Sequence, residues 1–431
     1  MDPFTIGIIG IAVLVFLIAL GVPIAYSAAS VGLLGLMSLR DPEAMFRMVG
    51  GLPLSSAASY TLSVLPLYIV IGFLAFHAGL TKGAFGAAKA WLGRMPGGLA
   101  TATIFASAGF ASVSGSSVAS TSVFTQLALP EMEKAGYNQK ISAGVVAVGG
   151  MLATLIPPSA LLVIYAIIVD ESVGALLMAG LIPATISIIG YCIVLAVISA
   201  VRPDAMPKLP KSSFKEKIYS LKDVWGIVGV VGVIVGGIYF GWMTPTESAA
   251  VAVAIIITMA WLKGMKLGDM NNGLVDAVKI TSILFIVILS MLIFTRFLAF
   301  SGVPAAITEF ILALNVEPWV IIVGVIFMYL VLGMMLDGMG MMLLTLPIIH
   351  PAVVALGYDP IWFGILVVKL VEIGLVTPPV GLNCFVVHGN RPDIPLSSVF
   401  KGVAPFLIVE VFILALILAF PSVVTFLPSI M

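Results

Sequence analysis

The chain has 431 residues, of which 61% are hydrophobic and only 9% charged, with a mean hydropathy of +1.22. Soluble domains carry roughly 25% charged residues, so a water-soluble globule is excluded. Lys and Arg balance Asp and Glu, 20 against 20, which leaves no net field to attract nucleic acid.

The uncharged stretch 3–39 is too long for a signal peptide and predicts two short membrane spans that turn near Gly21-Val22-Pro23. Further spans are predicted at 61–78, 141–169, 174–200, 224–242, 248–262, 275–300, 360–387 and 406–426. Two apolar blocks remain. The first, 97–131, is broken at mid-length by Ser112-Val113-Ser114-Gly115-Ser116-Ser117, and the second, 318–356, by Asp337-Gly338-Met339-Gly340. Each reads as a re-entrant hairpin, which enters the membrane, turns at those residues and leaves on the same side. That reading gathers Lys82, Lys89, Arg94, Lys134, Lys140, Arg202, Lys208, Lys211, Lys215, Lys217, Lys222, Lys263, Lys266, Arg391 and Lys401 on one side. Only Arg40 and Arg47 fall on the other, as the excess of cations in cytoplasmic loops requires. Both termini then face outward. The first hairpin opens to the cytoplasm and the second to the outside.

A constant shift along the chain aligns Pro130 with Pro351, Gly136-Tyr137 with Gly357-Tyr358, and Pro157-Pro158 with Pro378-Pro379. A slightly larger one aligns Phe73-Leu74-Ala75-Phe76 with Phe297-Leu298-Ala299-Phe300. The loop assignment puts Gly136 inside and Gly357 outside, so the two copies have opposite topology, an arrangement typical of secondary transporters. The expected fold is an all-α polytopic membrane protein. Its parts are N-terminal helices 1–60, a first repeat 61–200 with hairpin 97–131 and interrupted helix 141–169, and a cytoplasmic linker 201–223. Helices 224–274 follow, then a second, inverted repeat 275–426 with hairpin 318–356 and interrupted helix 360–387.

The interruptions have a chemical reading. In Leu155-Ile156-Pro157-Pro158-Ser159 and Val376-Thr377-Pro378-Pro379-Val380, adjacent prolines remove two backbone donors and push the residue before them out of helical geometry. The carbonyls freed one turn back suit a hard cation such as sodium, and free N–H groups after Ser114-Gly115-Ser116 suit an anion. A kink, or close helix packing, is the alternative for any one of these motifs.

Taken together, Ser114-Gly115-Ser116-Ser117, Leu155-Ile156-Pro157-Pro158-Ser159, Met243-Thr244-Pro245-Thr246-Glu247-Ser248 and Val376-Thr377-Pro378-Pro379-Val380-Gly381-Leu382-Asn383 carry a resemblance. In their order and spacing, over nearly the whole chain, they resemble the large membrane subunit of tripartite ATP-independent periplasmic (TRAP) transporters. The resemblance implies a sodium-driven importer of a small organic anion, a dicarboxylate or a sugar acid such as sialic acid, in the bacterial inner membrane. An elevator motion of a transport domain against a scaffold is implied, as are two partners, a periplasmic binding protein and a small four-helix membrane subunit. Some relatives carry that subunit fused; no helices are left over for it here, so a separate chain is expected. One sodium site would use Ser114, Gly115, Ser116 and Ser117 with carbonyls of Ile156 and Pro157. A second would use Asp337 and Gly338 with Thr377 and Pro378. Substrate would lie near Ser116, Ser159 and Asn383. Asp337 is expected to supply anionic charge, because a carboxylate unpaired in the membrane demands a cation.

Other polar residues read first as structural. Lys369 and Glu372, three apart, are expected to neutralise each other, with a substrate or proton role as the alternative; Arg296 is expected to snorkel, Glu247 to cap a helix and secondly to contact the scaffold, and 302–313 to lie along the outer interface. Cys192 and Cys384 make no disulfide framework, and His77, His350 and His388 lack metal-ligand spacing, so neither organic cofactor nor metal other than sodium is expected. A channel would need a symmetric filter, and an intramembrane hydrolase a nucleophile with its base. A sodium and dicarboxylate symporter that works without a binding protein keeps the same fold and stands as the alternative.

Overall fold

A computed structural model describes residues 1–210 and 212–431; Lys211, one of the cations assigned to the inner side, lies outside them. Among the described residues every regular element is helical. The chain begins with α1 (Pro3–Ala19) and α2 (Ile24–Leu39), which turn at Gly21, where a φ of 84° favours glycine. Two short helices follow, α3 (Pro42–Gly50) and α4 (Leu52–Ala57). The first half continues as α5 (Val64–His77), α6 (Leu80–Leu92), α7 (Gly98–Ser114), α8 (Ser117–Lys134), α9 (Gln139–Met151), α10 (Ala160–Val169) and α11 (Val173–Val201). Between the halves lie α12 (Phe214–Tyr239) and α13 (Pro245–Leu262). The second half is α14 (Leu267–Ser301), α15 (Val303–Ala313), α16 (Pro318–Gly333), α17 (Gly338–Ala355), α18 (Pro360–Gly374), α19 (Leu382–Asn390) and α20 (Leu396–Ala419), closed by α21 (Ser422–Ser429).

Each half lists in order two helices that meet at a glycine, two that meet at a Ser/Gly or Asp/Gly tip, two that flank Pro-Pro, and a long helix, although α5 has 14 residues where α14 has 35. Among the described residues five helices are long and apolar enough to cross a membrane, or up to seven if each bent pair counts as one span. The hairpin arms α7 and α16 and the half-helices α10 and α19 are shorter, as breaks at mid-membrane demand.

Two parts differ from expectation. Residues 80–92, unassigned in the sequence, form α6, which leaves α5 at 67° and matches α15 in position. Within the expected 201–223 linker a 3-10 turn forms at Pro203–Ala205, and Ser213, whose hydroxyl and Glu216 close a capping box, starts α12.

Loops expected on one side meet at one end. Arg391 forms a bidentate pair with Glu133 at 2.9 and 3.0 Å, Lys89 reaches Glu131 at 2.5 Å, and Trp91 donates to the Lys217 carbonyl at 3.1 Å. At the opposite end Arg40 stacks 4.5 Å over the Phe300 ring, and Tyr60 bonds Thr244 at 2.7 Å. Arg296, expected to snorkel, donates to the Met48 carbonyl there at 3.3 Å. Glu247 caps α13 through Thr244, and that same hydroxyl meets Tyr60, so the motif both starts a helix and joins two others.

Candidate functional site

The first hairpin tip is built by a helix stop. Gly115 takes a left-handed φ of 59° and ends α7, and Ser116, in extended geometry, starts α8 by accepting from the Ala119 N–H at 3.3 Å. The tip lies against the first Pro-Pro break. A Cβ placed on Gly115 would stand 2.7 Å from the Pro158 carbonyl oxygen, so only glycine allows this approach. On its other side the tip meets α5, where a Cβ on Gly72 would lie 2.9 Å from the Ser114 Cα.

The first break itself is buried from Leu155 through Ser159 and contains a cis Pro157-Pro158 bond. Ser159 restarts the helix: its hydroxyl accepts from the Leu162 N–H at 3.3 Å and donates to the Thr154 carbonyl. That side chain is fully buried and committed on both counts. The structure therefore gives Ser159 a capping task and does not bring it to a substrate-facing position.

Several buried oxygens near the tip have no partner. They include Ser114 Oγ, Ser107 Oγ, Ser120 Oγ and Thr121 Oγ1, all on the hairpin, and Asn383 Oδ1. Small residues on α9 let it close on these groups: a Cβ on Gly150 would fall 2.9 Å from the Ser117 carbonyl, and one on Gly149 would fall 2.8 Å from Ser107 Oγ. Asn383 comes to the same helix from the second half, donating through Nδ2 to the Ala147 carbonyl at 3.2 Å. Buried polar groups are nearly always satisfied, so these oxygens are candidates to hold a ligand that takes up their lone pairs. The donor set of hydroxyl, amide and carbonyl oxygens fits sodium.

The second tip and break are arranged differently. Gly333 and Gly374 pack backbone to backbone, which sets the end of α16 against α18 just before the cis Pro378-Pro379 bond. Asp337 caps α17, accepting from the Gly340 N–H at 3.1 Å, and the residue is exposed. Apart from this cap, Asp337 makes no ion pair among the described residues. Gly338 is buried against Val371 and Leu161. Thr377 is half-buried and donates to the Ile373 carbonyl at 2.5 Å, while Pro378 is exposed.

A buried charge cluster was read only in part from the sequence. Lys369 pairs with Glu372 at 2.7 Å, as expected, and also with Glu410 of α20 at 2.6 Å. All three are buried to within 1% exposure. Glu410 was missed, although it is the sole ionisable residue between 406 and 426 and an intramembrane carboxylate is by default a functional candidate. The unpartnered Ser107, Ser120 and Thr121 were missed as well.

Residues 11–423 match the family described as the tripartite ATP-independent periplasmic transporter, DctM component. The chain belongs to that family. Among relatives of this DctM component, a C4-dicarboxylate TRAP transporter large permease protein of Pseudomonas aeruginosa is 33% identical over 373 residues, 86% of each chain. A sialic acid TRAP transporter large permease protein of Vibrio cholerae is 30% identical over 417 residues, 95% of each chain. The crystal structure of the Alcanivorax borkumensis YdaH transporter has a similar fold, with a TM-score of 0.62, 13% identity, and coverage of 89% of this chain and 90% of that one. The protein is thus a multi-pass, all-helical transporter permease, the large TRAP subunit that the motifs resembled.

Proposed function

We propose that this TRAP large permease carries a small organic anion, a dicarboxylate or a sugar acid such as sialic acid, inward across the bacterial inner membrane together with sodium. The observation that supports it best is the first tip, where unpartnered buried oxygens of Ser114, Ser120 and Thr121 gather beside the helix broken at Pro157-Pro158, whose Pro158 carbonyl lies against Gly115. The first sodium site uses that tip, with Gly115, Ser116 and Ser117 supplying backbone groups. The second uses Asp337, Gly338, Thr377 and Pro378, where an exposed carboxylate and the carbonyls before Pro-Pro provide the ligands. Asn383 and Ser116 are the proposed substrate contacts, the unpartnered Asn383 Oδ1 accepting from a hydroxyl of the substrate and not from its carboxylate. Neutralising the anion with sodium removes the cost of moving a bare charge through the membrane.

The names of the two relatives support the choice of dicarboxylate or sugar acid, and they differ, which supports leaving selectivity to a periplasmic binding protein. A separate small membrane subunit completes the scaffold, both termini face the periplasm, and the hairpins and broken helices move together as the travelling part of an elevator. The test is uptake into liposomes containing the permease and its small subunit. Candidate acids are supplied with and without a sodium gradient and with and without the binding protein. Saturable uptake that needs both is expected. Flux indifferent to sodium refutes the coupling, and flux without the binding protein favours the stand-alone symporter.

A further inference from the structure

We propose that the buried cluster of Lys369, Glu372 and Glu410 is a proton-binding site, and that at neutral pH it holds one proton on Glu372, aimed at Thr154. This rests on the cluster alone and not on the transport reading. Charge supplies the first argument. One ammonium faces two carboxylates, all within 1% of complete burial, so full ionisation would leave a net negative charge in hydrocarbon at a cost of several kcal/mol.

Counting donors supplies the second argument and locates the proton. The Lys369 ammonium donates to Ser187 Oγ at 2.8 Å and to Glu372 Oε2 at 2.7 Å, and pairs by charge with Glu410 Oε2 at 2.6 Å, an oxygen that accepts no hydrogen bond. Ser187 in turn donates to the Pro183 carbonyl, and the Tyr191 hydroxyl donates to Glu410 Oε1. Thr154 has one hydroxyl hydrogen, and the Met151 carbonyl lies 2.8 Å away to accept it. Glu372 Oε1 lies against the same hydroxyl, so two acceptors share one hydrogen and a second is lacking. A proton on Glu372 Oε1 supplies it and, in the same stroke, brings the cluster to neutrality. The remaining titratable groups packed on α18, namely Tyr165, Tyr329 and His350, gather at Phe363, about 13 Å along the helix from Glu372 at 1.5 Å per residue.

The site has a mechanical consequence. Thr154 meets Glu372 through its side chain, while its carbonyl accepts from Ser159 beyond the first break. One bound proton therefore ties the interrupted helix of the first half to α18 of the second, with α11 and α20 joined through Ser187, Tyr191 and Glu410.

Infrared spectroscopy of the reconstituted permease tests this directly. At neutral pH the wild-type protein should show a protonated-carboxyl carbonyl band that exchanges slowly in heavy water. Glu372→Gln should remove it, and so should Glu410→Gln, because one carboxylate then balances Lys369. Lys369→Met should add a second band, since two carboxyls without a cation both take up protons. A folded wild-type protein with no slowly exchanging band at neutral pH overturns the proposal, as does a band that both glutamine variants retain. If the variants fail to fold, the wild-type measurement alone decides.

Discussion

Replacing Gly115 by Ala asks whether contact between the first tip and the first break sets sodium affinity. The new Cβ pays twice. At a φ of 59° a side chain costs roughly 1 kcal/mol. At 2.7 Å from the Pro158 oxygen it must also retreat by roughly 0.7 Å to reach ordinary contact, an overpacking that costs roughly 1–3 kcal/mol. The tip is pushed off the break whose carbonyls are proposed as ligands. If the whole strain, about 2–4 kcal/mol, is felt when the ion is held, sodium affinity falls roughly thirty-fold to a thousand-fold. The assay is uptake in liposomes as a function of sodium, with melting temperature as a check on folding. Gly79→Ala is the control, because its φ of 70° carries the same backbone penalty while nothing lies within 4 Å of the new methyl. If Gly115→Ala needs no more sodium than the Gly79 variant does, the first tip is not an ion site.

Gly402→Ala should abolish the folded permease on size-exclusion chromatography, since its Cβ would sit 1.9 Å from the Lys140 carbonyl at the crossing of α9 and α20 and neither backbone can yield without loss of about 3 kcal/mol or more. Asn383→Ala removes the bond to Ala147 and the unpartnered amide oxygen, and should lower the melting temperature by the equivalent of about 1 kcal/mol while weakening uptake far more, the split that separates a ligand contact from packing. Asp337→Asn should keep the N-cap and the fold but reduce the sodium dependence of uptake; unchanged dependence removes Asp337 from the second site. Glu131 is held below its ordinary 4.5 chiefly by the hydrogen bond from Lys89, and Asp393 below 3.8 by Arg391. Carboxyls depressed in the folded state contribute stability that is present above those values and lost as pH falls through the folded ones. Melting temperature should therefore drop on acidification below about pH 4.5, and Lys89→Met should flatten that acid limb.

The sequence made legible whatever follows from hydropathy and from residues that stop helices. Gly115 and Asp337 break their apolar blocks where the hairpin tips occur, and the two Pro-Pro pairs interrupt helices where donors are missing. By contrast α6 escaped because Lys82 and Lys89 hide an amphipathic helix from a hydropathy scan, whereas its counterpart α15, with Glu309 alone, reads plainly. Glu410 escaped for a different reason. Its partner Lys369 lies on another helix, and linear spacing offered Glu372 first. The unpartnered hydroxyls of Ser107, Ser120 and Thr121, unlike that of Ser114, had no signal at all, since Ser and Thr are common in packed membrane helices and only the fold shows which of them have nothing to bond.

The polar contacts also divide the molecule along a line the apolar ones do not. Asn383 to Ala147, Thr154 to Glu372, Tyr191 to Glu410, and Arg391 to Glu133 all link elements of one half to elements of the other, binding the first hairpin, the broken helices, α11 and α20 into one body. A second set, Tyr60 to Thr244, Arg296 to Met48 and His77 to Asp276, binds α3, α5, α13, α14 and the segment before α5. Where the two sets touch at the tips, the contacts are of another kind: Gly72 against the backbone of Ser114, and Gly340 against the aliphatic end of Ile24. Separating a buried, hydrogen-bonded charge pair costs about 3–5 kcal/mol, whereas sliding glycine over carbon breaks no directional bond. Relative motion is therefore cheapest between the two sets and most expensive within the first, which is the division a carrier needs if its ion-holding tips are to travel together.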